Sequence, residues 1–201
     1  MKQIKKPRTK RAEQAEETRE RIFKAARKLF GKKGYDKVGM DDIASAAGVS
    51  VGTCYHHFGS KYRIFQEVYQ RSDRYFRQEV PALLTAPDWR GKVVEFFRTY
   101  YGGLIVSDGI ELCRQLFVPT NDLFLREDSG MTATLAEIVS QGQSAGEISQ
   151  QKEARCLADF LFVIARGVVF DWCLHDGSYD VKEKLGEHIE VTMKALESSN
   201  K

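Results

Sequence analysis

Proline is scarce in this 201-residue chain, four in all, and runs of β-branched residues are few. With helix breakers rare and Ala, Leu, Glu, Lys, Arg and Gln abundant, the composition leans towards helix. Cysteine is scarce as well. Cys54, Cys113, Cys156 and Cys173 form no C-x-x-C pair, which argues against a zinc knuckle or a dense disulfide scaffold and for a reduced, cytoplasmic protein. Long apolar runs are missing too. The most apolar stretch, residues 160–174, is broken by Arg166 and Asp171 and is too short to span a bilayer, so no membrane insertion is expected. No apolar segment follows the basic start Met1–Arg8, so it does not read as a secretory signal. No Ser/His/acid or paired-carboxylate arrangement stands out. No catalytic residue is assigned, no cofactor is expected, and enzyme activity is unsupported.

What is present is unevenly charged. The chain carries a net charge of +3, but residues 1–63 hold 16 Lys+Arg against 7 Asp+Glu, whereas the other 138 residues hold 15 against 21. A basic head on an acidic body suggests that the head meets a polyanion. Six of the positive charges fall within residues 1–11. Lys5, Lys6, Arg8, Lys10 and Arg11 either follow DNA as a flexible arm or form a solvated tail, and charge alone leaves both open.

Hydrophobic periodicity reads as helix throughout. Ile22, Phe23, Ala26, Leu29 and Phe30 form an amphipathic stripe that ends at Gly31 and Gly34. Met40, Ile43, Ala44 and Ala47 line a short second helix that Gly48 closes. Ser50 offers a cap for a third helix, Val51 to about Phe58, and Ser60 caps a fourth that runs towards Pro81. Further helices are expected at 89–106, 108–118, 122–145, 153–176 and 180–197. The chain is therefore expected to be all-α, with about nine helices and no internal repeat.

Residues 40–58 have the anatomy of a helix-turn-helix: two short helices, a glycine-containing turn, and alanines where the helices cross. The string from Thr18 through Leu29-Phe30, Gly34-Tyr35 and Met40 to Gly59-Ser60-Lys61 resembles the TetR family of bacterial transcriptional regulators. The resemblance is close over residues 16–70 and looser beyond, where Gly142-Gln-Ser-Ala-Gly-Glu-Ile148 is similar to the family's link into its last two helices. It implies a basic arm over residues 1–15, a three-helix DNA-binding domain over 16–62, and a ligand-binding and dimerisation domain over 63–201.

By the same resemblance, Thr18, Tyr55 and Lys61 would contact phosphates, and Val51, Gly52, Thr53 and His56 would face base edges. Three departures stand out. Val51 occupies a position that is often basic or polar, Cys54 replaces a common Leu or Ile, and Gly39 takes a cap position usually held by Ser or Thr. His56, His57 and Cys54 diverge at their helical spacing, so no metal site is assigned. Gly59-Ser60-Lys61 is not a phosphate loop. Cys54 reads as a small core residue in preference to a redox sensor.

In the C-terminal part, Phe96, Phe97, Tyr100, Cys113, Phe117, Phe162, Arg166 and Phe170 are candidates to wall a pocket for a small apolar or aromatic effector. Any one of them also serves as plain core. Arg166 is either a counter-charge there or the ion-pair partner of Asp159, Asp171 or Glu111, with the ion pair slightly favoured. The helix near 153–176 is apolar on two faces and must lie between two packed layers. The resemblance supplies the second layer as the partner of a homodimer, whose recognition helices would sit about 34–36 Å apart on a palindromic operator. The function expected is a ligand-responsive DNA-binding regulator, a repressor. The rival is a helical small-molecule-binding or enzymatic protein with a vestigial helix-turn-helix.

Overall fold

The computed structural model describes residues 10–118 and 129–196. Among them the secondary structure is helical, without a strand. Two compact units divide the chain between Val68 and Tyr69, inside the fourth helix, six residues beyond the boundary expected at 62/63.

The first unit is built on α1 (Lys10–Lys33), α2 (Met40–Ala47), α3 (Val51–Phe58) and the start of α4 (Lys61–Gln78). Helix α1 includes residues 10–15, which were expected in the basic arm. The reason is propensity: Lys10 to Glu17 is Lys, Arg, Ala, Glu and Gln throughout, and such residues extend a helix once it is nucleated. Lys5, Lys6 and Arg8 lie outside the described residues. Ile22, Phe23, Ala26 and Phe30 face inward on α1, and Met40, Ile43, Ala44 and Ala47 do so on α2. Gly48 ends α2 with φ +65°, a left-handed conformation that glycine adopts without strain. Gly39 has no side chain to cap α2. Asp42 compensates by accepting the Gly39 N–H at 2.8 Å, half of a capping box.

The second unit holds the rest of α4, then α5 (Val80–Leu83), α6 (Trp89–Glu95), a π-helical turn (Phe96–Tyr101), α7 (Gly102–Asp108), α8 (Ile110–Leu116), α9 (Gly130–Ser144), α10 (Ala154–Leu174) and α11 (Val181–Ala195). From Trp89 to Asp108 the chain is one continuous helical run with the π turn inside it. Its core joins Phe76 of α4 to Phe96, Phe97 and Tyr101 of that run, Leu135 of α9, Leu161 and Phe162 of α10, and Leu185 and Ile189 of α11.

Polar contacts fix the helix ends. Asp73 of α4 accepts the Met131 N–H at 3.1 Å, which satisfies an orphan donor at the start of α9, and the Thr134 hydroxyl donates to the Phe76 carbonyl at 3.1 Å. At the other end of α9, Gly142 sits where a Cβ would fall 2.5 Å from Ile148 and 2.8 Å from Trp89. Glu147 accepts the Trp89 N–H at 2.7 Å. The Gly142–Ile148 segment therefore clamps α9 to the start of α6, and its glycine is required by close packing. Among the described residues, no helix is long and apolar enough to cross a membrane.

Candidate nucleic-acid interface

Helix α3 has one inner face. Cys54 and Phe58 are buried, and they pin eight residues against α1 and α2. Ser50 caps the helix by accepting the Thr53 N–H at 3.1 Å, and its hydroxyl also bonds that of Thr53 at 2.8 Å. The opposite face is open. Val51 is 41% and Tyr55 51% exposed, Gly52 and His56 are exposed, and Thr53 is half-buried. The structure thus gathers all five expected α3 residues on or beside the outward surface. Burial, with His56 and Arg19 nearby, pushes the His57 imidazole below its ordinary value and keeps it neutral at pH 7.

Arg19 braces this helix, and Lys61 is held just beyond its end. Arg19 of α1 donates to the His57 carbonyl at the end of α3, pairs with Glu67 of α4, and lays its guanidinium over the Phe58 ring at 4.1 Å. It satisfies one of the carbonyls that a helix C-terminus leaves open. Sequence reasoning missed Arg19, because its partners lie 38 and 48 residues away. Lys61, expected at a phosphate, donates to the Tyr35 carbonyl at 2.9 Å and lies 4.1 Å over the Tyr35 ring. Tyr35 is itself held between Phe30 and Phe65. The ammonium is therefore pre-positioned at the start of α4 with donors to spare. Thr18 lies on α1, half-buried.

A compact three-helix head with an outward, capped third helix and a lysine fixed beside it is the geometry of a helix-turn-helix reader of duplex DNA. Residues 22–68 match the model of the bacterial regulatory proteins of the tetR family. Over this segment the chain is similar to the DNA-binding domain of that family. It is 26% identical over 164 residues to the HTH-type transcriptional regulator UidR of Escherichia coli K12, which covers 79% of this chain and 83% of that protein. The fold is similar to that of the fatty acid degradation regulator FadR from Bacillus halodurans, with a TM-score of 0.74 and 22% identity over 88% of this chain and 98% of that one. FadR from Bacillus subtilis, solved with stearoyl-CoA, matches with the same TM-score and coverage at 20% identity. The protein is a DNA-binding transcriptional regulator.

The expected pocket residues are only partly brought together. Phe96, Phe97 and Phe162 meet edge-to-face, with ring centroids 5.2–6.1 Å apart. Cys113 is fully buried in the same core, and burial, with Asp108 and Cys173 nearby, pushes its thiol well up. The ring that joins Phe97 and Phe162 is Tyr101, at 5.8 and 5.6 Å, and not Tyr100. The physical reason is the π turn: its wider repeat carries the inward register from Tyr100 to Tyr101 and from Leu104 to Ile105. Tyr100 instead donates its hydroxyl to the Leu83 carbonyl at 2.6 Å.

Phe170 is 52% exposed on the outer face of α10 and does not join Phe162. Phe117 is half-buried at the end of α8. Arg166 is half-buried too and lies near enough to Tyr101 to oppose the upward push of burial on that phenol. Of the acids weighed as its partners, Asp159 pairs with Arg155, Asp171 bonds Tyr179 and His175, and Glu111 pairs with Arg114. Among the described residues, grooves of about 580 and 530 Å³ open on the second unit, and the expected pocket residues do not line these two.

Cys54 has no exposed surface, and desolvation raises its thiol above the ordinary range. Cys113 and Cys173 are also buried and also raised. Native protein treated with iodoacetamide near pH 8 should therefore retain unmodified Cys54, Cys113 and Cys173 by peptide mass mapping, and urea should release all three. Rapid labelling of Cys54 in the folded state would restore the redox-sensor alternative.

Proposed function

We propose that this protein is a homodimeric repressor that holds a palindromic operator through α3 and leaves it when a small apolar effector occupies the second unit. The observation that carries this reading is α3 itself. Its inner side is locked by Cys54, Phe58 and Arg19, and its outer side presents Val51, Gly52, Thr53, Tyr55 and His56 beside Lys61. Hydroxyl, phenol and ammonium groups at Thr18, Tyr55 and Lys61 suit phosphate oxygens, and the α3 surface between them suits base edges.

Release follows from α4. Its first part packs Ile64, Phe65 and Val68 into the DNA-binding unit, and its second part packs Phe76 and caps α9 through Asp73 in the other unit. An effector that favours one arrangement of the second unit acts on α4 by covalent continuity, and the shift cannot exceed its differential affinity for the two states. The ring cluster of Phe96, Phe97, Tyr101 and Phe162 supports an apolar ligand. Because FadR from B. subtilis was solved with stearoyl-CoA, that compound is the first probe for release.

The test is a gel shift on DNA from upstream of the protein's own coding region, with the salt stated. Tyr55→Phe should lower affinity about tenfold or more on specific and unrelated duplexes alike, since each protomer loses one hydrogen bond to a charged oxygen. The salt slope should stay unchanged, because no charge is removed. Lys61→Ala is the less clean variant, as it also removes one of the two donors of the Tyr35 carbonyl, leaving the Val38 N–H at 3.3 Å. Failure of the wild-type protein to shift any upstream fragment in dilute buffer would overturn the reading and leave the ligand-binding rival.

A further inference from the structure

Base edges in the major groove are read most strongly by bidentate side chains: Arg or Lys on guanine, Asn or Gln on adenine, with Asp or Glu accepting from cytosine. Helix α3, Val-Gly-Thr-Cys-Tyr-His-His-Phe, contains none of them. Its first turn is poorer still in polar groups than the sequence suggests. The Thr53 hydroxyl is bonded to Ser50 at 2.8 Å as part of the helix cap, which takes up part of its hydrogen-bonding capacity. Gly52 adds nothing, and the nearest atom that a Cβ there would meet is Ser50 Oγ at 3.8 Å. Val51 stands 41% exposed at the helix start, with two methyls and no hydrogen-bonding side-chain atom.

A methyl-bearing surface has one specific counterpart on the floor of the major groove, the C5-methyl of thymine. We propose that Val51 is a specificity-determining residue that reads a thymine in each operator half-site by methyl–methyl contact. This rests on the reading that α3 enters the major groove, and it goes further by naming the base and the atom recognised. His56, central on the outward face, carries the polar part of the readout.

The experiment selects binding sequences from a random 30-base-pair duplex pool with the full-length protein. Each thymine of an enriched site is then replaced in turn by deoxyuridine, which keeps every hydrogen-bonding group and lacks only the methyl. At one or two positions per half-site the substitution should cost about fourfold in affinity, the factor expected for the burial of one methylene-sized group, and about fifteenfold when both half-sites are changed. Val51→Ala should bind thymine and uracil duplexes equally at those positions, and an unchanged thermal melt shows that it is folded. Uniform tolerance of deoxyuridine, or a Val51→Ala variant that still discriminates against it, overturns the inference while DNA binding stands. If no sequence is enriched and no duplex is bound, the DNA-binding reading fails and takes this one with it.

Discussion

Replacing Gly52 with alanine should raise the melting temperature of the free protein and lower its affinity for DNA, opposite effects from one methyl group. Gly52 lies in the first turn of α3 at a helical φ, in open space. Nothing within the unit requires a glycine there. Glycine in a helix is worse than alanine by about 0.5–1 kcal/mol, so its removal should stabilise the fold by up to that amount, about 2 °C for a chain of this size. The residue that a fold would choose is not the one present, and the remaining reason is an outside surface that comes too close for a Cβ. Contrast Gly142, where a Cβ would strike Ile148 and Trp89 and the internal packing alone accounts for the glycine. If α3 docks as proposed, a Cβ at position 52 would hold it off the groove floor and lengthen the neighbouring phosphate contacts, and a loss of about tenfold or more in affinity is expected. Thermal melting and a gel shift on the same preparation check both signs. Unchanged affinity would mean that α3 does not dock through this face, and a lower melting temperature would mean that the turn is not helical as described.

Local signals carried much of this architecture. The inward residues Met40, Ile43, Ala44 and Ala47 of α2 follow from helical spacing alone, as do the stops at Gly48 and Gly59, both at positive φ. The candidate interface was legible for the same reason: cap, short helix and glycine turn are all encoded within 20 residues of one another. Errors arose where a non-local or non-standard feature overrides local pattern. An ideal helical repeat selects Tyr100 and Leu104 as core, and no residue in Phe96–Tyr101 announces the π turn that puts Tyr101 and Ile105 there instead. Arg19 is one basic residue among many on α1 until tertiary contact brings His57 and Glu67 to it. On α10, Phe162 and Phe170 are both pocket candidates by sequence. Burial separates them: Phe162 and Cys173 face the protomer's own core, and Val163 and Phe170 face away.

That outward face yields the second large effect. Phe160, Val163, Phe170 and Leu174 are 49–65% exposed, and with Gly167 they fall at spacings of three and four along α10, the seam of a coiled coil. Val191 on α11 is exposed as well. Apolar side chains aligned in this way mark a contact surface, and an isologous two-fold contact would supply each protomer with the same seam. Gly167 sits mid-seam with nothing within 4 Å of its absent Cβ, so a partner helix has room for close approach. Val163→Arg combined with Phe170→Arg should leave the protomer folded, since both side chains point out of its core, and should place like charges against each other across the seam. The variant is expected to sediment as a monomer. It should bind a two-half-site operator only as tightly as a single half-site, because the second contact no longer benefits from the first, a loss of about 10²- to 10⁴-fold. Gly167→Leu tests the same seam without charge: it fits the isolated protomer and improves helix propensity, yet it should weaken self-association as read by sedimentation equilibrium. A double-arginine protein that remains a dimer and keeps full operator affinity would move the interface off α10 altogether.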